Sequence, residues 1–363
     1  MGGLQKSGLM MAKALQLSGF SVEMCLLYSG GQFFNSLDGI SVYRPSKQSK
    51  HLIVKWLQVI WHLRFAARTS KSSQVVVLGR YYGALAALAL LLKRKTRLVI
   101  SERNAPVFRM PLVYERFCDL IFAVRPPQLV LAQTKYAALL QRNRYPSSRV
   151  VSFYNLFEPI AEQESNRKNG KRVDELLDSK LTDKEHVLVF VVAGRFNDPL
   201  KGIPMVLESF LELGRTDFRL LVAGGTVGED SSVDAVISKY PGWNRVVEFL
   251  GRVEGMGDVF ERADVFVLPS NSEGFPNALV EAMQRGLFCI SAEFHSGVYE
   301  IIESENEGLV VPVNDGLAMR KALAQVLDRK INFDRVGNSA RMKSQQFEMQ
   351  NRLQEIKEVF CVS

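Results

Sequence analysis

Short apolar runs, each five to nine residues long, recur through this chain with helical stretches between them, and the series is broken once. In the first half the strand candidates are "FSVEMCLLY" (20–28), "ISVYR" (40–44), "QVVVLG" (74–79), "RLVISE" (97–102), "LIFAV" (120–124), "QLVLAQ" (128–133) and "RVVSFYN" (149–155). Such alternation is the signature of a parallel sheet covered by helices on both faces. The stretch "EPIAEQESNRKNGKRVDE" (158–175) then loses apolar content, which marks a boundary. Alternation restarts with "HVLVFVVAG" (186–194), a helix over 202–213, "FRLLVAGG" (218–225), "RVVEFLG" (245–251), a helix over 255–263, "VFVLPS" (265–270), a helix over 276–286, "FCISA" (288–292) and "GLVVPV". The fold class expected is α/β, with two tandem Rossmann-like domains at 1–165 and 166–340 and a cleft between the carboxyl ends of their sheets. A C-terminal helix (341–363) is expected to pack back on the first domain.

Several function classes are excluded early. The four cysteines (Cys25, Cys118, Cys289, Cys361) lack C-x-x-C spacing, which argues against a disulfide framework or a zinc site and for a reducing, cytoplasmic setting. The apolar run "YYGALAALALLL" (81–92) falls short of the roughly 20 residues of a spanning helix. The net charge of +8 is uneven: residues 1–165 carry 22 Lys and Arg against 8 Asp and Glu, and residues 166–363 carry 24 against 30. Only the first half is therefore expected to face an acidic partner, an anionic membrane surface rather than nucleic acid, since no aromatic-interleaved reading motif accompanies the charge.

Two segments of the second half concentrate chemistry. After "VVAG", Arg195 and Lys201 flank a loop that enters a helix at "KGIPMVLESF". Two cations beside a helix N-terminus make an anion site, although solvated surface side chains are the plain alternative. In "PSNSEGFPNALVEAM", Pro276 suits the first helical position and leaves the amides of Asn277, Ala278 and Leu279 available to a phosphate. Glu273 and Glu281 then flank that helix start. A carboxylate accepts two hydroxyls at once, so a ribose diol on Glu281 and sugar hydroxyls on Glu273 fit. A plain surface glutamate and a metal pair are the competing readings. No D-x-D and no suitably spaced histidine supports a metal.

Arg195…Lys201-Gly202, Gly224-Gly225, "FLGRV" and the E-x(7)-E segment together resemble the donor half of a retaining glycosyltransferase of family 4, GT-B fold, and the likeness spans nearly the whole chain. The resemblance implies that Arg195 and Lys201 neutralise the donor diphosphate, with Glu273 on the donor sugar and Glu281 on the ribose. The backbone at Arg252 and Val253 would receive the base. In "GGLQKSGLMMAKAL", Gly2 and Gly3 resemble the family's glycine loop. The loop "ISERNAPV" departs from the His found in many relatives, so Glu102, Arg103 or Asn104 would stand in near the donor sugar, while His51, His62, His186 and His295 offer no catalytic partner. The leaving diphosphate would itself take the acceptor's proton. The likeness implies transfer of a hexose or N-acetylhexosamine from a nucleotide sugar, UDP-linked, to a glycan or polyprenyl-diphosphate-linked acceptor, with no cofactor and no metal. The first domain would bind the acceptor, and the setting would be surface polysaccharide assembly (capsule or lipopolysaccharide) at the inner face of the membrane. The rivals are a non-catalytic nucleotide-sugar-binding partner and a sugar-nucleotide epimerase of the same fold.

"HLIVKWLQVIWHLRFAAR" (51–68) mixes aromatic and aliphatic side chains with Lys and Arg, as a membrane-surface helix does, though an ordinary packing helix shares that pattern. A Rossmann-like domain opens with a buried strand that delivers the chain into its glycine turn. Here the glycines are residues 2 and 3. Met1 is therefore expected to be an internal methionine preceded by roughly ten apolar residues, with a gap or distortion in the sheet beside the helix near Leu4. A chain without that strand is expected to bind donor yet be poorly stable and weakly active.

Overall fold

The computed structural model describes residues 3–26, 39–43, 52–69, 73–106, 108–160, 187–295, 297–328 and 332–361. It divides into two compact units, Met1–Phe157 with Met349–Ser363, and Glu158–Glu348.

The first unit runs α1 (Gly3–Leu17), β1 (Glu23–Cys25), β2 (Ser41–Tyr43), α2 (Leu52–Thr69), β3 (Gln74–Leu78), α3 (Arg80–Ala89), β4 (Arg97–Ser101), α4 (Leu112–Val124), β5 (Leu129–Ala132), α5 (Lys135–Arg144) and β6 (Arg149–Ser152). Strands β3 to β6 form a parallel sheet in chain order, and β1 pairs with β2 in a separate parallel pair. Among the described residues these are two separate pieces of sheet. Successive side chains of a strand point to opposite faces. Leu98 and Ile100 accordingly join Ala84, Ala87, Cys118 and Phe122 on one side, while Val99 joins Met10, Met11, Ala14 and Leu15 of α1 on the other.

One strand expectation fails. "LIFAV" (120–124) is the last part of α4, with Cys118 and Phe122 buried and Leu120 and Val124 exposed. A five-residue apolar run has no period of its own, and the helix that precedes it carries through.

The second unit runs β7 (Leu188–Ala193), α6 (Ile203–Leu211), β8 (Phe218–Ala223), α7 (Ser231–Ser238), β9 (Val247–Gly251), α8 (Gly257–Glu261), β10 (Val265–Leu268), α9 (Asn277–Gln284), β11 (Phe288–Ala292), β12 (Leu309–Val311), α10 (Gly316–Leu327) and α11 (Phe333–Ser344). Its parallel sheet has the order β12-β11-β10-β7-β8-β9. The chain starts in the middle at β7, fills one side, then crosses to fill the other. The switch therefore lies between β7 and β10.

The C-terminal segment is shared out by packing. Phe333 of α11 meets Phe288 edge-on, with ring centroids 5.7 Å apart, so α11 stays with the second unit. From Met349 the chain joins the first unit: the Met349 amide donates to the Phe157 carbonyl (2.9 Å), and the last helix, α12 (Leu353–Phe360), buries Ile356, Val359 and Phe360 against α1 and the sheet.

Candidate functional site

Open α/β sheets bind ligands beyond the carboxyl ends of their strands, where the strand order reverses. In the second unit that place is set by the loops after β7 and β10. They are the loops that carry Arg195 and Lys201 on one side and Glu273 on the other.

The β7 loop is held in shape at its base. The Gly194 amide donates to the Ala223 carbonyl (2.9 Å) and the Gly224 amide to the Gly251 carbonyl (2.7 Å), which joins the ends of β7, β8 and β9. Asp198 caps the 3₁₀ turn Pro199–Lys201 by accepting from the Leu200 amide, and it also pairs with Arg195 at 2.7 Å. Gly202 follows in the left-handed region (φ 64°) and lies so close to the Pro269 carbonyl that no side chain fits. The Asn271 amide donates to the Leu200 carbonyl (2.8 Å), which ties this turn to the β10 loop.

The outcome is an ion pair across the switch point. Lys201 Nζ sits 2.8 Å from Glu273 Oε1, and both side chains are largely shielded from water. Arg195, by contrast, is 75 % exposed. Glu281 lies half-buried one turn into α9, and its backbone carbonyl accepts from Arg285. Arg252 is exposed and Val253 half-buried in the loop that leaves β9.

The start of α9 requires a correction. Pro276 is the N-cap, and the helix begins at Asn277. Two of the three amides expected to point outward are used inside the turn: Asn277 donates to the Phe275 carbonyl and Leu279 to the Pro276 carbonyl, each at 3.0 Å. Closing the corner in so few residues consumes those donors. Only the Ala278 amide has no such acceptor within this turn.

In the first unit, Gly2 lies outside the described residues, and Gly3 is the first residue of α1 rather than part of a loop. Glu102 and Arg103 leave the end of β4 beside a cavity of about 140 Å³, whose lining also includes Gly79, Arg80, Gln141 and Arg144. Glu102 is buried and its Oε1 accepts from the Tyr145 hydroxyl. Burial raises its carboxyl above the ordinary range, against the pull of the Tyr145 hydrogen bond and the Arg144 and Arg80 charges. Arg103 donates to the Asn155 side chain, and burial lowers its guanidinium to about 10. Asn104 is exposed, and so is His295 in the second unit. Among the described residues, no group of His, Cys, Asp or Glu is placed to hold a metal ion, and all four cysteines are free thiols.

Residues 187–329 match the family model described as "Glycosyl transferases group 1". The chain carries a group 1 glycosyl transferase domain. That domain holds both switch-point loops. A Campylobacter jejuni relative is 24 % identical over 96 % of this chain and 92 % of its own length; it is described as a GalNAc-alpha-(1->4)-GalNAc-alpha-(1->3)-diNAcBac-PP-undecaprenol alpha-1,4-N-acetyl-D-galactosaminyltransferase. An Escherichia coli UDP-Gal:alpha-D-GlcNAc-diphosphoundecaprenol alpha-1,3-galactosyltransferase is 35 % identical over 23 % of this chain and 21 % of its own. Among solved structures, the Anabaena HepE protein in complex with UDP-glucose superposes with a TM-score of 0.76 at 17 % identity, covering 99 % of this chain and 95 % of that one. The fold is the GT-B fold, two Rossmann-like units in tandem.

Asp198 and Asn271 were not singled out by sequence reasoning. For Asp198 a signal existed: Asn-Asp-Pro ahead of a helix is a turn opening with an N-cap. For Arg80 and Gln141 there was none, since they are far from any motif and reach the cavity only through packing.

Proposed function

We propose that the chain is a retaining transferase of the family 4 type, moving a hexose or N-acetylhexosamine from a nucleotide sugar onto a lipid-linked glycan in surface polysaccharide assembly. The observation that carries this reading is the Lys201–Glu273 pair at the switch point of a group 1 domain. Donor phosphate competes with Glu273 for Lys201, which frees the carboxylate for the sugar's hydroxyls. Arg195 closes on the phosphate from its exposed position, and Glu281 takes the ribose. Developing charge on the leaving diphosphate then meets two cations and the N-terminus of α6, the kind of preorganised stabilisation that lowers a barrier most. Glu102 and Arg103 serve substrate binding in the first unit, and Arg252 and Val253 receive the base. No step here calls for a metal or a cofactor. A UDP-linked donor and a diphosphate-linked polyprenol acceptor are favoured by the names of the C. jejuni and E. coli relatives and by the UDP-glucose complex of the structural neighbour.

Peripheral attachment to the inner face of an anionic membrane belongs to the same proposal. Val54, Leu57, Trp61 and Phe65 form an exposed stripe along α2, while Val59 and Leu63 pack inward and Trp56 stacks on Phe117. Among the described residues no helix is long and apolar enough to cross a membrane.

The test is turnover of the full chain with a panel of nucleotide sugars and a lipid-linked glycan, reading nucleoside diphosphate release and the anomeric configuration of the product. Binding without release would make the chain a nucleotide-sugar-binding partner of another enzyme, and an inverted product would end the retaining assignment.

A further inference from the structure

Asp198 does more in the β7 loop than close a turn. Its Oδ1 accepts from the Leu200 amide at 3.2 Å, and its Oδ2 accepts from Arg195 Nη2 at 2.7 Å. Its backbone is tied to both site cations as well. The Asp198 amide donates to the Arg195 carbonyl (3.3 Å), and the Lys201 amide donates to the Asp198 carbonyl (2.9 Å). The Asp198 carboxylate is only 19 % exposed, and among the described residues no other carboxylate pairs with Arg195.

A cap alone needs no charge, since Asn and Ser accept from the first amides of a helix as well as Asp does. The second oxygen is what an uncharged cap would lack, and it is the one that meets the guanidinium. Asp198 thus offers one anionic oxygen to Arg195 and another to a backbone amide in the turn that opens α6. A phosphate at such a place makes the same two kinds of contact. The carboxylate is therefore an internal competitor for Arg195. It is a weak one, because the guanidinium end of the pair is open to water. A diphosphate, with its greater charge, displaces it.

We propose that Asp198 is a positioning residue that holds Arg195 over the loop between turnovers, yields it to the incoming donor diphosphate, and takes it back as the nucleoside diphosphate leaves. This rests on the reading of Arg195 as a diphosphate ligand. The time that Arg195 spends on Asp198 lowers the apparent affinity for every phosphate-bearing ligand of the site, product included.

The experiment is calorimetric titration of the full chain with UDP and, separately, with pyrophosphate. Four chains are compared: wild type, Asp198→Asn, Arg195→Gln and the double variant. Asn keeps the cap and removes the charge, so the urea midpoint should hold while both ligands bind about twofold to fivefold tighter, the range of an exposed ion pair. Where Asp198→Asn does not fold, Asp198→Ser also caps without charge. In the Arg195→Gln background the gain is expected to shrink by half or more, because Asp198 acts through that guanidinium. An unchanged affinity in Asp198→Asn, an equal gain in both backgrounds, or no binding of either ligand by any chain would overturn the proposal. Failure of the transferase reading looks different: the gain and its dependence on Arg195 persist while no nucleotide sugar yields nucleoside diphosphate.

Discussion

Gly202→Ala tests whether the Lys201 turn is held by backbone contact. Two penalties apply at this position. At φ 64° an L-residue costs about 1–2 kcal/mol relative to the right-handed region. The new methyl also meets the Pro269 carbonyl oxygen and Cβ, and overpacking of that kind costs about 1–3 kcal/mol more. Gly214 is the matched control: it has φ 63°, lies in the same unit, and nothing stands within 4 Å of a methyl built there. Urea unfolding of both variants, compared as midpoint shifts at a common slope, isolates the contact. Gly214→Ala is expected to lose about 1–2 kcal/mol and Gly202→Ala about 2–5 kcal/mol. The loop that moves to relieve the second penalty also carries Lys201, so donor turnover is expected to fall with it. Equal losses in the two variants would refute the claim that Gly202 is required by the approach of Pro269.

Glu281→Gln is expected to weaken donor binding at an unchanged fold, by about 1.5–3 kcal/mol for each charged hydrogen bond lost; unchanged donor affinity would end the diol assignment. Lys201→Ala should slow transfer more than it weakens donor binding, since charge grows on the leaving group, and a rise in KM alone would make Lys201 a ground-state binder. For Glu102, whose carboxyl titrates higher in the folded than in the unfolded chain, the sign is fixed: stability is fully present below the unfolded value near pH 4.5 and is lost as pH rises through the folded value. Glu102→Gln should flatten that slope in urea titrations run across this window, and an unaltered slope would assign it to other groups. Trp61→Glu is expected to release the chain from anionic vesicles in co-sedimentation, with wild-type binding falling as salt rises; salt-independent attachment would contradict the charge argument.

Local pattern was enough for much of this molecule. Apolar runs such as "VLVFVVA" and "VFVLPS" became β7 and β10, because a strand buried on both faces needs little beyond length and β-branched content. The loops after those strands were legible too, since glycine, proline and paired charges at strand exits restrict a chain's options within a few residues. "LIFAV" was not legible, because five apolar residues fit a strand or the end of a helix equally well and only the packing of Cys118 and Phe122 decided between them. The amides of Asn277 and Leu279 were lost to the turn for a similar reason: which donors a corner consumes depends on how tightly it closes.

Sequence by itself therefore determined the elements and the chemical character of the switch-point loops. Only the tertiary structure decided that β10 returns to lie beside β7, so that Lys201 meets Glu273 across 72 positions of chain. It also decided that Arg80, Glu102, Arg103 and Gln141 converge on one cavity. Periodicity reports the face a residue presents to its neighbours along its own element, whereas convergence depends on strand order and helix packing, which are settled by burying all the apolar faces at once.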